Sequence, residues 1–339
     1  VSRMDGLDDD IPFPLQRVAS DPQLPSRAEV VVVGGGIAGA AAAYFLAKKG
    51  HRVALLEKGL IGAEQSSRNW GWVRQQNRDE RELPLAKWSL DCWGTLAEAI
   101  GADLGFRREG LVYLTDNPAE LATWEKWVAM ARAHGVHSQL LSRDEASAVM
   151  PGGKAWVGGV RSPTDGRAEP SMATSALAEA ARTLGATIHQ RCAARGMETE
   201  GGRISAVVTE HGRIRTTQVL CAAGAWSSMF CRWHGIDFPQ SGVRSTAFAT
   251  RPAPALIEGG LSTPQFTVRR RLDGGYTVAI RGRGRIEFTP QGLRYTKQFL
   301  PILRSRWSTA ISFGVGRSFV RGPEAFARWS LDSRSPFEK

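Results

Sequence analysis

The chain has 339 residues, 42% of them hydrophobic and 23% charged, and a net charge of +11. That length implies two domains, or one with a large insertion, and no apolar run is long enough to form a membrane-spanning helix. The positive charge comes mainly from dispersed arginines, the longest basic run being Arg269-Arg270-Arg271, which points to an anionic cofactor or substrate rather than to nucleic acid.

The chain opens VSRMDGLDDDIPFPLQ. It has no apolar stretch behind a basic start, so no secretory signal is expected. Residues 1–27, rich in aspartate and proline, read as an irregular lead-in. Glu29 to Val33 is a β-branched run, hence a buried strand. Ile37 to Lys49 reads as an alanine-rich helix ended by Gly50, and Arg52 to Leu56 as a second buried strand. Leu85 to Ile100 is helical, Gly110 to Thr115 a strand, and Asn117-Pro118 opens a helix over Ala119 to Ala133. Ser142 with Glu145 forms a capping-box pattern. Pro170 to Leu184 is a helix, followed by the strand Ala186 to His189. Arg203–Glu210 and Arg213–Leu220 are expected to pair as a hairpin through His211-Gly212. Residues 240–290 are strand-like, with a turn at Asp273-Gly274-Gly275. Leu293 to Trp307 reads as helical with a kink or break at Pro301. The four cysteines, Cys92, Cys192, Cys221 and Cys231, make no C-x-x-C pair and no zinc spacing. They read as buried thiols of a reducing cytoplasm, and no metal is expected.

This order predicts an α/β (α+β two-domain) fold, a Rossmann-like dinucleotide domain interleaved with a mixed-sheet domain. The expected division is 28–90 plus 151–235 for the dinucleotide domain, 91–150 plus 236–325 for the substrate domain, and 326–339 for a tail. The strongest motif is VVVVGGGIAGAAAAYFLAKKGHRVALLEKG. Gly34, Gly36 and Gly39 match G-x-G-x-x-G between a strand and a helix, in a unit of roughly 30 residues. Gly34 allows the tight turn, Gly36 lets the backbone approach a pyrophosphate, and Gly39 lets the helix pack on the strand. The helix N-terminus, at Ile37 and Ala38, presents free N–H groups to the anion. Glu57 ends the second strand, where a carboxylate accepts from ribose hydroxyls and repels a 2′-phosphate, which disfavours NADP. Lys58 follows it. The N-terminal position of this cradle, with no second one for a nicotinamide, favours FAD over NAD.

Two later segments carry a resemblance: IGAEQSSRNWGWVRQQ, Ile61 to Gln76, and VLCAAGAWSS, Val219 to Ser228. With the cradle, in this order, the chain resembles the FAD-dependent D-amino-acid oxidase superfamily (glycine and sarcosine oxidases, D-amino-acid dehydrogenases) over about residues 28–320. The resemblance implies that Ser66, Ser67, Arg68, Asn69, Trp70 and Gly71 approach the pyrophosphate and isoalloxazine. It implies that Ala223, Gly224 and Trp226 approach the dinucleotide. No His or Cys lies between Glu57 and Cys92, so non-covalent FAD is expected.

It further implies oxidation of a C–N bond of an amine or amino acid by hydride transfer to flavin N5, with hydrolysis of the imine. Oxidation of a 2-hydroxy acid, a catalytically silent FAD-binding fragment and an NAD-dependent dehydrogenase are the alternatives. An amino-acid carboxylate calls for arginine or tyrosine, and the β-rich block offers Arg269, Arg271, Tyr276 and Arg281, with Arg270 on the opposite side of its strand. Asp165 and Glu169, before the helix at Pro170, serve equally as site residues or as turn and helix-terminus charges. The family's closing glycine-rich segment finds no match before Lys339, which leaves three alternatives, a truncated product, one piece of a split enzyme or a natural short form, with that part of the flavin site completed by a partner chain or a missing C-terminal segment, or absent. The expected partner is a small amine or amino acid, and the expected location cytoplasmic.

Overall fold

A computed structural model describes residues 15–151, 155–305, 311–320 and 322–325. The expected tail 326–339, Trp307 and the start of the lead-in lie outside the described residues. Contacts group the chain into two units. The first takes the described residues of Val1–Arg68, Thr174–Ser245 and Arg283–Lys339; the second is Asn69–Ala173 with Thr246–Gly282. Residues 69–90 and 151–173, assigned from sequence to the dinucleotide domain, thus group with the second unit. Trp72-Val73 pairs antiparallel with Gly166-Arg167 there. Among the described residues no helix is long and apolar enough to cross a membrane.

In the first unit, a four-stranded parallel sheet runs in the order Gln218–Cys221, Val30–Val33 (β1), Val53–Leu56 (β2), Thr187–His189. Every residue of β1 and β2 is buried, as strands covered on both faces require. The helix α1, Ile37–Lys48, connects them. Its alanines Ala40, Ala43 and Ala47 are buried, so the helix backbone lies close to the sheet. The chain passes from β1 to β2 on one side, and the strand Gln218–Cys221 pairs with β1 on the other. Strand order therefore reverses at β1, and open parallel sheets bind ligands at the carboxyl end of such a point.

Two sequence expectations are corrected here. The run Arg213–Leu220 is two strands. Gly212–Arg215 pairs antiparallel with Arg203–Thr209 as expected, but Gln218–Cys221 leaves the hairpin and joins β1. Thr216 makes the break, its buried hydroxyl donating to the Glu29 and Gln218 carbonyls. The helical run near the C-terminus starts earlier than expected, as Pro290–Arg294 and then Thr296–Ser305, and the second helix continues through Pro301. The described part of the lead-in is irregular yet tied down. The Asp21 amide donates to the Ile188 carbonyl at 2.7 Å, and the Asp21 carboxylate accepts from the Ile188 amide at 2.8 Å. It thereby covers the outer edge of the strand Thr187–His189, where unpaired backbone groups would otherwise face a neighbour.

The second unit holds a seven-stranded mixed sheet in the order 247–249, 276–279, 267–270, 260–262, 111–115, 158–162, 139–141. Only the pair 260–262 with 111–115 is parallel within it. Its helices carry the expected caps. The Asn117 side chain accepts from the Ala119 amide ahead of Pro118–Ala133, and Ser142 and Glu145 close a capping box. Leu83, Leu111, Tyr113, Trp124 and Val160 form a core cluster.

The tightest constraint is at Gly39, where an added Cβ would lie 1.9 Å from the Gly34 carbonyl oxygen. Neither backbone can yield, so Gly39→Ala is expected to lower the unfolding free energy by about 2–3 kcal/mol, read from urea denaturation. A change under about 0.5 kcal/mol would contradict this packing.

Candidate dinucleotide site

At the carboxyl ends of β1 and β2, the first unit encloses a cavity of about 240 Å³. Gly34, Gly36, Ile37, Ala38, Glu57, Lys58, Ser66, Ala223, Gly224 and Trp226, expected from the sequence to share a site, all line it. Gly34 has φ +106°, and a Cβ there would meet the Ala222 carbonyl oxygen at 2.4 Å. The strand Gln218–Cys221 thus delivers its own backbone against the turn. No side chain caps α1 at Gly36, and its first turn holds no acidic residue. The opening N–H groups of a helix have no intrahelical acceptor. The Ile37 amide donates to the Ser66 hydroxyl at 2.9 Å, and a Cβ on Gly36 would come within 3.0 Å of the same oxygen. The turn therefore sets an oxygen against the positive end of α1, the role a phosphate oxygen fills.

Glu57 is buried. Its Oε2 accepts from the Gly35 amide and its Oε1 from the Gly59 amide, both at 2.7 Å. A carboxylate has about four lone-pair sites, so capacity remains for ribose hydroxyls. Burial pushes its pKa up, against the two backbone N–H groups that pull it down. Lys58 Nζ lies 2.5 Å from Glu64 Oε1 and 4.2 Å from the centre of the Trp226 ring. Gly39 sits under the turn. Ser67 is buried and donates to the Glu64 carbonyl, and Arg68 donates to the Ala63 carbonyl. These residues fit the adenosine-diphosphate half of FAD: a turn a Cβ would block, an uncapped helix start without an acid, and a carboxylate where a ribose would lie.

Asn69, Trp70 and Gly71 belong to the second unit. Gly71 has φ +74°, and a Cβ there would meet the Ala168 carbonyl oxygen at 2.4 Å and the Arg269 guanidinium carbon at 3.1 Å. The chain's own packing therefore demands this glycine. Arg269 is 1% exposed and donates to both oxygens of Glu169, at 2.9 and 3.2 Å. Its other contacts are the Ala168 carbonyl and the Thr277 hydroxyl. The guanidinium is committed to the fold. The Tyr276 hydroxyl donates to the Pro254 carbonyl and accepts from the Leu256 amide. Arg271 pairs with Asp273 at 2.9 Å. Arg281 pairs with Glu120 and lies over the rings of Tyr113 and Trp124.

Two groups in this unit stand out. Asp165 is fully buried and accepts from the Gln75 and Gln76 amides at 2.9 and 3.0 Å. Burial nonetheless pushes its pKa from 3.8 to about 6. Gln76 is also fully buried, and neither end of its side-chain amide has a hydrogen-bond partner among the described residues. Sequence reasoning passed over it. The only signal is its place as the last residue of the segment Ile61 to Gln76 that carries the resemblance.

The family model described as FAD dependent oxidoreductase matches residues 29–313. The chain is 29% identical over 301 residues to 4-methylaminobutanoate oxidase (formaldehyde-forming) of Paenarthrobacter nicotinovorans, covering 87% of this chain and 36% of that relative. It thus spans little more than a third of that protein. L-amino acid deaminase from Proteus myxofaciens, solved with anthranilate, superposes with a TM-score of 0.88 at 29% identity, over 96% of this chain and 74% of that one. The Proteus vulgaris enzyme matches over 95% of this chain and 76% of its own at 29% identity and TM-score 0.87. With its specific insertion sequence deleted, it matches over 78% of this chain and 71% of its own at 30% identity and TM-score 0.73.

Two outcomes follow from the site. Glu57→Ala removes the acceptor of two backbone amides and of the ribose, so FAD affinity should fall by roughly 10- to 100-fold; unchanged titration of the variant with FAD would rule out this role. Asp165 has a folded-state pKa above its ordinary value, so its protonation favours the fold. That contribution is complete below pH 3.8 and is lost as pH rises through about 6, amounting to about 3 kcal/mol at most. Urea unfolding between pH 4 and 7 should show this slope, and Asp165→Asn should flatten it.

Proposed function

Because the chain belongs to the family of FAD-dependent oxidoreductases, we propose that it oxidises the C–N bond of an α-amino acid to an imine, which water hydrolyses to a 2-oxo acid and ammonia. The observation that carries this is the cavity at the strand switch, with its glycine turn, uncapped helix start and buried Glu57. Bound FAD supplies the two-electron acceptor for the hydride leaving the α-carbon. The turn and the start of α1 hold the diphosphate, and Glu57 holds the ribose.

The amino-acid reading is supported by likeness to L-amino acid deaminase over nearly the whole chain. Against the form of the Proteus vulgaris enzyme with its specific insertion sequence deleted, the likeness covers 78% of this chain instead of 95%. A second reading, oxidation of an N-methylated amine with release of formaldehyde, is supported by 4-methylaminobutanoate oxidase.

The test is reduction of the FAD-loaded chain without oxygen by a panel of α-amino acids, N-methyl amines and 2-hydroxy acids, with product analysis. Bleaching by amino acids with a 2-oxo acid and ammonia formed is the expected result. Formaldehyde from N-methyl amines would favour the second reading, and bleaching only by hydroxy acids would overturn both.

A further inference from the structure

Two cysteines of the first unit meet across a turn. Cys221 is the last residue of the strand Gln218–Cys221 and pairs with Val33 of β1. Cys231 lies on the helix Ser227–Trp233. Cys221 packs against the core cluster that holds Met229 and Phe230 of that helix. This packing sets the Cys231 thiol in hydrogen-bond contact with the Cys221 thiol. Both cysteines are free and half-buried, whereas Cys192 is buried and Cys92 belongs to the other unit.

The turn they flank carries Ala222, Ala223, Gly224, Ala225 and Trp226, all of which line the cavity. Its first end is fixed by the Ala222 amide, which donates to the Val33 carbonyl at 2.8 Å. Its second end is held less firmly. Neither the turn Gly224–Trp226 nor the helix after it has a side-chain cap, and Gln240 alone bridges the Gly224 carbonyl and the Ser228 amide. A covalent bond between Cys221 and Cys231 would close this wall segment into a small ring and restrict its opening.

We propose that Cys221 and Cys231 form a reversible dithiol–disulfide switch that fastens the Ala222–Trp226 wall of the cavity under oxidising conditions. The oxidant is a small-molecule disulfide. Burial, and Cys221 beside it, push the Cys231 thiol up to about 11, so exchange starts at Cys221, since the thiolate is the nucleophile. Cys221 gives up its proton and attacks the small disulfide, forming a mixed disulfide and releasing one small thiol. Cys231 then loses its proton, attacks the Cys221 sulfur and releases the second small thiol. The two protein thiols lose two electrons and two protons, and the small disulfide gains them. The disulfide chemistry stands apart from the cofactor; its effect on the wall rests on the reading that the cavity takes FAD.

The experiment equilibrates the FAD-loaded chain in graded ratios of reduced to oxidised glutathione, traps free thiols by alkylation and maps peptides by mass spectrometry. FAD release is followed in parallel by flavin fluorescence. It uses wild type, Cys221→Ser and Cys231→Ser, each checked for folding by circular dichroism. Wild type should yield a Cys221–Cys231 cross-link that dithiothreitol reverses, and Cys231→Ser should stop at a mixed disulfide with glutathione on Cys221. The oxidised wild type should release FAD roughly three- to tenfold more slowly than the reduced form, with no such difference in Cys221→Ser. Two thiols that stay open to alkylation in oxidised glutathione, or cross-links to Cys92, Cys192 or a second chain instead, would overturn the pair. A cross-link that leaves FAD release unchanged would overturn the switch. A cross-linked chain that takes up no FAD in either state would overturn the cofactor reading, and control of the wall with it, while the disulfide stands.

Discussion

The close approach of three backbones at the carboxyl end of β1 is the constraint on which the dinucleotide site depends. Gly34 faces the Ala222 carbonyl, and Gly39 faces the Gly34 carbonyl, at distances that exclude any side chain. This packing sets the uncapped start of α1 over the sheet. It also brings the Ala222–Trp226 segment to the same cavity as Glu57, across 165 residues of chain. Glycine is needed at Gly34 for its dihedral as well, and at Gly39 only for space. The two positions should therefore respond differently to alanine: the first by strain and collision together, the second by collision alone.

Polar burial is handled in two ways, by pairs of backbone amides at Glu57 and Asp165 and by a side-chain network around Arg269. In the first, Glu57 keeps its place through two backbone amides, and burial of the carboxyl works against its ionised form. In the second, Arg269 is held by a bidentate carboxylate, a carbonyl and a hydroxyl, with Arg167 bridging Glu109 and Glu169 beside it. Removing one member of such a network strands the others, at a cost of several kcal/mol. The network also explains Gly71, whose missing Cβ makes room for the guanidinium.

What could be read from the sequence is what local chemistry dictates. The phosphate turn, the carboxylate after β2, the caps at Asn117 and Ser142 and the run of alanines in α1 each carry their reason within a few residues. The strand Gln218–Cys221 could not be separated from the hairpin before it, because both continue the same alternation. The break depends on Thr216 reaching Glu29, 187 positions away. Arg269 reads as an available cation until Glu169, 100 residues earlier, is folded against it. Gln76 stays hidden because a glutamine in a polar loop gives no sign of being buried without partners. The split of the chain depends on pairings such as Trp72 with Arg167, which no local pattern reveals.

The central claim is that the cavity beside β1 holds FAD. It is tested most directly by the visible absorption spectrum of the purified chain, with the cofactor released by denaturation and identified. The account predicts one FAD per chain, released without covalent attachment. A colourless chain that also takes up no added FAD would contradict it.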